Sequence, residues 1–364
     1  MAALSYGGSG GFLNSSERSG DMRKDGRLPV YWKIILIVLP ALAALVALCI
    51  GRMAITPGEV AEALAAGVSG GQNSEAGVGI PEMVYKTVWN LRLPRIILAM
   101  LVGAGLSVAG CAFQSLFANP LATPDTLGVA SGASFGAALG ILLGFGMIGI
   151  QATALVMGAA AVCLTWLAGS GKSHGMGYIV LAGIMIGSLF NALVSLTKYV
   201  ADEESQLPAI TYWLMGGLDK ASFRTLAMGA GPIIIGVAVL WLLRWKLNIL
   251  PLSDDEARAA GVDVRRLRGV TILCATLITA SAVSMCGQVG WVGLLIPHMC
   301  RMMFGNNHMA IVPASVSIGA TFMIAVDTVA RSVSASEIPI SILTAVIGAP
   351  FFIILMRRSE GWRL

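Results

Sequence analysis

With 56% of its 364 residues hydrophobic and only 12% charged, the chain has more apolar surface than one water-soluble core can hide; soluble domains carry about 25% charged residues. The net charge of +5 is modest and unevenly placed, which argues against nucleic-acid binding. The six cysteines form no CxxC pair and the three histidines show no ligand spacing, so neither a metal site nor a cofactor is expected. What remains is a polytopic membrane protein, and 44 glycines fit helices packed closely in lipid.

Residues 1–30 are Gly/Ser-rich and basic (Arg18, Arg23, Lys24, Arg27) and read as a disordered cytoplasmic tail. The first apolar run, 31–50, resembles a lipoprotein leader up to Cys49. Leu48, however, stands where a small residue is needed, so the run reads as an uncleaved span. Further spans are expected at 93–117, 126–146, 148–168, 177–200, 223–246, 268–289, 291–304, 309–331 and 338–356. The 291–304 segment is short and holds Pro297. The fold expected is therefore all-α, with about ten transmembrane helices in a membrane domain over 31–357. Residues 358–364 form a C-tail.

Several segments carry possible chemistry. Leu91-Arg92-Leu93-Pro94-Arg95 opens the second span, with arginines that either snorkel to headgroups or meet an acidic partner. Pro120 and Pro124 break the helix between spans two and three. That segment is either a plain turn or irregular backbone lining a cavity. Gly169-Ser170-Gly171-Lys172-Ser173 looks like a phosphate loop but has Trp166 where the pattern needs glycine, so it reads as a turn. Ser253 can cap a short helix that begins Asp254-Asp255-Glu256 and stops at Gly261. Such a helix is either a solvated loop or a plug for a partner. Asp327 and Arg331 lie one turn apart in the ninth span and read as an intramembrane pair.

Ten spans put both termini on one side. The basic N-tail, the basic segment 244–268 and Arg357, Arg358 and Arg363 place that side in the cytoplasm. The acidic loops near 51–88 and 201–222 then face outward. Arg92–Gln114 and Arg266–Gln288 echo one another, each running from a basic start through an apolar stretch to glutamine.

The strings LRLPR at 91–95, GAGLSVAGCAFQSLFANPLATPDTLGVASGA at 103–133, YWLMGGL at 212–218, EARAAGV at 256–262, GWVGLLIPHMCR at 290–301, AVDTVAR at 325–331 and EIPISILTAVIGAPFF at 337–352 resemble the FecCD-type permeases. These belong to bacterial importers of iron-siderophores, haem and vitamin B12. The resemblance runs from about residue 31 to 357. It implies a non-enzymatic permease subunit of an ATP-binding-cassette importer in the bacterial or archaeal cytoplasmic membrane. The partners it implies are a second permease copy or close paralogue, two ATPase subunits that hydrolyse the ATP, and an external substrate-binding protein. It makes residues 251–265 the coupling helices, with Ser253, Asp254, Asp255, Glu256, Ala257, Arg258, Ala259, Ala260 and Gly261 as contact positions. Leu121, Met176 and Gly177 become the inner gate, and Arg92, Arg95 and Arg331 the sites that meet acidic lobes of the binding protein. The family usually has Leu-Gly where this chain has Leu252-Ser253. An iron complex is the expected cargo, with cobalamin as the alternative. An ion-driven transporter would need more intramembrane acids than Asp327, and a membrane enzyme would need a His, Cys or carboxylate cluster.

Overall fold

The computed structural model describes residues 28–68, 81–169, 176–334 and 336–358. The basic tail up to residue 27, residues 69–80, 170–175 and 335, and the last six residues lie outside the described residues. So do the side chains of Met176, Asp254, Arg357 and Arg358.

Among the described residues there are thirteen helices and no strand. They are α1 (Val30–Cys49), α2 (Pro57–Val68), α3 (Glu82–Leu116), α4 (Val129–Leu142), α5 (Met147–Gly169), α6 (Met176–Val200) and α7 (Gln206–Leu214). They continue as α8 (Phe223–Leu242), α9 (Asp254–Ala259), α10 (Val264–Cys286), α11 (Val292–Phe304), α12 (His308–Val333) and α13 (Ile340–Arg358). Seven of these (α1, α3, α5, α6, α8, α10 and α12) are long and apolar enough to cross a membrane, while α4, α11 and α13 are shorter apolar helices. Each of the ten expected spans has its helix. The three remaining helices, α2, α7 and α9, are short connectors.

Two expected boundaries move. The second span begins at Glu82 and not near residue 93. Pro94 has no N–H to give to the carbonyl four residues back, which would ordinarily end the helix. The chain instead winds as a π-helix over Lys86–Arg92, and the Leu93 amide reaches the Val88 carbonyl five residues back. The third span begins only at Val129. A single 3-10 turn, Pro124–Leu127, precedes it and ends on Gly128 at φ 74°, which glycine adopts without strain.

Helix α3 is the centre of the bundle and is buried along most of its length from Ile96 to Leu116. Small residues set its approach to its neighbours. A Cβ added at Gly103 would lie 2.2 Å from the Gly319 carbonyl oxygen on α12, and one at Gly110 would lie 1.8 Å from that of Gly293 on α11. Neither contact leaves room for a methyl group. The two echoing stretches fall on α3 and α10, the two most deeply buried of the long helices. By contrast, α1 exposes Ile34, Ile37 and Leu42, and α6 exposes Leu181, Ile184, Met185 and Leu189.

Candidate transport sites

At the end of the bundle where α1 stops, three arginines converge. The last carbonyls of a helix have no partner inside it and carry its negative pole. The Arg92 guanidinium donates to the carbonyls of Leu48, Cys49 and Met53, and Arg331 donates to that of Ala47. The α1 terminus is thus capped by arginines from α3 and α12. Arg95 donates to Asp327 at 2.8 Å and to Glu337 at 2.8 Å. Arg331 stands 3.8 Å from Asp327. The expected intramembrane pair is therefore a triad, with Arg95 holding the tighter contact on Asp327.

This geometry places the arginines within the chain's own packing. Arg92 and Arg331 are only 4% and 7% exposed. Although three residues apart, Arg92 and Arg95 serve different partners, one on α1 and the other on α12 and its following loop. The half-exposed cation at this end is Arg52, whose Nη2 donates to the Ser334 carbonyl at 2.9 Å and lies 3.9 Å from Glu337.

The segment between α3 and α4 enters the bundle and is not a surface turn. Pro124 and Leu127 are buried. Pro124 packs against Gly293, and Gly183 of α6 comes so close to the Thr126 carbonyl that an added Cβ would lie 2.2 Å away. Asp125 accepts from the amides of Ala130 and Ser131, capping the first turn of α4. Irregular backbone is tolerated at depth when it is satisfied inside the protein, as here. Leu121 itself is 56% exposed, and its amide donates to the Asn119 side chain. At Gly177 an added Cβ meets nothing within 4 Å. Among the described residues, then, Leu121 and Gly177 form no closed constriction.

The polar corner between α8 and α10 follows the sequence expectation in its local geometry. Ser253 caps α9: its hydroxyl accepts from the Glu256 amide at 3.3 Å, and Glu256 accepts in return from the Ser253 amide at 3.0 Å. This reciprocal capping box substitutes for the glycine usual at that point. The Ser253 side chain, first, and its amide hold the Glu256 carboxyl below the usual carboxylate range. Gly261 at φ 73° ends the helix, and Asp263 caps α10 through the Arg266 amide. Ala257, Val262, Val264 and Leu267 are buried anchors, while Asp255, Glu256, Arg258, Ala259, Ala260 and Gly261 face out.

The profile of the FecCD transport family matches residues 36–358. The chain belongs to the FecCD transport family. It is 38% identical over 333 residues to the molybdate import system permease protein of Haemophilus influenzae, covering 91% of this chain and 97% of that one. It is 36% identical over 277 residues to a protein of Helicobacter pylori named as an iron chelatin transport system permease, covering 75% and 83%. The cobalamin import permease of Halobacterium salinarum is 36% identical over 284 residues, covering 78% and 76%. Among solved structures, an inward-facing ABC transporter assigned to the metal-chelate type matches with a TM-score of 0.80. It is 37% identical, with 90% of this chain and 99% of that one covered. This FecCD protein is thus an ABC importer permease and a multi-pass protein of the cell membrane. The FecCD relatives are named for iron chelate, cobalamin and molybdate, so the iron complex expected from the sequence is not fixed by kinship.

Some residues of this FecCD chain were not foreseen. Glu337 was read only as part of a matching string, and its tie to Arg95 joins positions 242 apart in sequence. Gln114 accepts from Arg301 and points its amide at the Gly293 and Leu294 carbonyls at 3.5 Å, linking α3 to α11. Asn248 accepts from the His308 amide at 2.9 Å and joins the polar corner to α12. For Gln114 the signal available was a polar residue in an apolar run.

Proposed function

We propose that this chain forms half of a transmembrane pathway that is completed by a second copy or a close paralogue. Two ATPase subunits dock at residues 251–265 on the cytoplasmic side, and a substrate-binding protein docks at the α1-terminus end. The observation that carries this is the α9 corner. It is anchored by buried Ala257 yet presents Arg258 to Gly261 outward, the form of an element that transmits force into the bundle. The basic N-tail and segment 244–268 favour both termini inside. ATP-driven closure of the ATPases would move α9, tilt α10 and open the path to alternate sides. The open space at Leu121 and Gly177 suits an inner gate closed against the second subunit. The four arginines at the other end, set against Asp327 and Glu337, give that end a positive field for acidic lobes of a binding protein. An ion-driven mechanism is disfavoured because Asp327 is already engaged by Arg95 and Arg331.

For the cargo, an iron complex (siderophore or haem) is the first reading and cobalamin its alternative within the family. A metal oxyanion is a second reading, favoured by the 38% identity to the molybdate permease over nearly the whole chain. Proteoliposomes containing the permease with its ATPase and binding protein test both levels. Vanadate-sensitive, ATP-dependent uptake is expected, and ATP-independent uptake driven by an ion gradient would overturn the importer assembly. Competition between labelled ferric chelate, haem, cobalamin and molybdate then selects the cargo.

A further inference from the structure

A cavity of about 750 Å³ opens between α1, α3, α8 and α12, and no residue of the arginine triad or the α9 corner lines it. Its walls are apolar: Leu36 and Pro40 of α1, Met100 and Ala104 of α3, Pro313 and Ala320 of α12. Two cations border it. Lys33 lies in the first turn of α1 and Arg244 just past the end of α8. Arg244 stacks 5.5 Å over the Trp241 ring, and Trp241 also lines the cavity. An exposed tryptophan beside basic residues is the arrangement found at the headgroup level of a bilayer.

The depth matches one leaflet. From Met309 to Ala320 along α12 the cavity descends eleven residues, roughly 16 Å at about 1.5 Å per residue. Half of a hydrocarbon core of about 30 Å is about 15 Å. The cavity therefore runs from the headgroup region to the midplane and stops there. A slot with cations at its mouth and an apolar body as deep as one leaflet has the charge and shape of one lipid.

We propose that this groove is a binding site for a single anionic phospholipid, with an acyl chain between α1, α3 and α12 and the phosphate at Lys33 and Arg244. Basic pockets between transmembrane helices hold lipid headgroups by the same pairing of charge. The bound chain would tie α1 to the central helix α3. The site rests only on the chain lying in a membrane, so it stands whatever cargo the permease carries.

The test is native mass spectrometry of the purified full-length permease in detergent, titrated separately with phosphatidylglycerol and phosphatidylcholine of equal chain length. One tightly held phosphatidylglycerol per chain is expected, with phosphatidylcholine bound at least about tenfold more weakly. Combined Lys33→Gln and Arg244→Gln substitution is expected to erase that preference. Ala104→Phe, which fills the apolar body, is expected to remove binding of both lipids. Circular dichroism and monodispersity confirm that each variant is folded. Equal affinity for the two lipids in the unsubstituted protein, or a preference untouched by the double substitution, would overturn the proposal. A lipid adduct appearing only after removal of residues 1–27 would also overturn it, since the tail would then be the native occupant. So would an adduct appearing only on dissociation of a dimer, which would make the occupant a second copy.

Discussion

At the residue scale, Arg95 decides whether Asp327 can exist where it does. Asp327 has a side chain 1% exposed and Arg95 one 12% exposed, and the two meet at 2.8 Å. Removing one partner of a buried ion pair leaves an uncompensated charge, at a cost of about 3–5 kcal/mol. Arg95→Met is therefore expected to lower thermal stability in detergent sharply, and adding Asp327→Leu to recover most of it. A stable Arg95→Met single variant would show that Asp327 is not charged and paired. The same burial separates the docking question from folding. Arg92→Glu combined with Arg95→Glu would set carboxylates against the α1 carbonyls and against Asp327 and Glu337, and damage the fold. Arg52→Glu, at a half-exposed position, is expected to leave the fold intact, weaken binding-protein docking and make it less salt-sensitive. Unchanged docking affinity and salt dependence in that variant would exclude Arg52 from the interface.

At the scale of the element, α9 is defined by its caps and its anchor. Ala260→Trp adds bulk on the outward side of the corner, beyond the buried Ala257. It is expected to abolish ATPase co-purification while leaving membrane insertion intact. Normal co-purification would place the ATPase elsewhere. The capping box has a pH signature. Because the Glu256 carboxyl titrates below its ordinary range, its stabilising effect is fully present above the unfolded value, about 4.3. The effect is lost as pH falls through the lower folded value. Hydrogen exchange at α9 is thus expected to be flat from neutral pH to about 5 once intrinsic rates are divided out. Protection should fall only below that range, and the change should vanish in Glu256→Gln.

This element was legible in sequence because its determinants are local. Ser253, Glu256 and Gly261 act within nine residues of chain. The ten apolar helices were legible for the same reason, through runs of hydrophobic residues. What sequence did not disclose was long-range pairing: Arg92 with the α1 carbonyls, Arg95 with Glu337, Gln114 with Arg301. A backbone carbonyl has no side-chain signature, so the partners of Arg92 could not be read from residue types. The helix start at Glu82 was hidden because Pro94 ordinarily marks a boundary, and the π-wound turn removes that penalty.

For the whole molecule, the exposed faces of α1 and α6 and the open space at Gly177 describe a subunit whose surface is not all addressed to itself. Gly177→Trp is expected to fold, since an added Cβ meets nothing within 4 Å among the described residues. It is expected to block uptake in the assembled importer, where the second subunit would supply the opposing wall. Wild-type uptake by Gly177→Trp would move the gate elsewhere. The tight glycine contacts behave oppositely. Gly110→Val is expected to destabilise the isolated subunit, because α3 and α11 cannot separate without losing the buried Gln114 link. Unchanged thermal stability of that variant would contradict the packing.

The π-wound turn at Lys86–Arg92 gives the helix something like a vernier. It carries one residue more than an α-helical path of the same course would need, and that surplus sets the angular phase of the turn Glu82–Tyr85 relative to the body of α3. At its end Arg92 and Arg95 serve separate clients, the end of α1 and the carboxylates of α12 and its loop. Deleting a single residue between Lys86 and Asn90 would leave the hydrophobic pattern of α3 below Leu93 untouched. It would still rotate the segment from Glu82 out of phase with α2, where Trp89 lies against Gly67. Alignments that treat such a gap as neutral would therefore miss the loss of the seat that α2 takes on the start of α3.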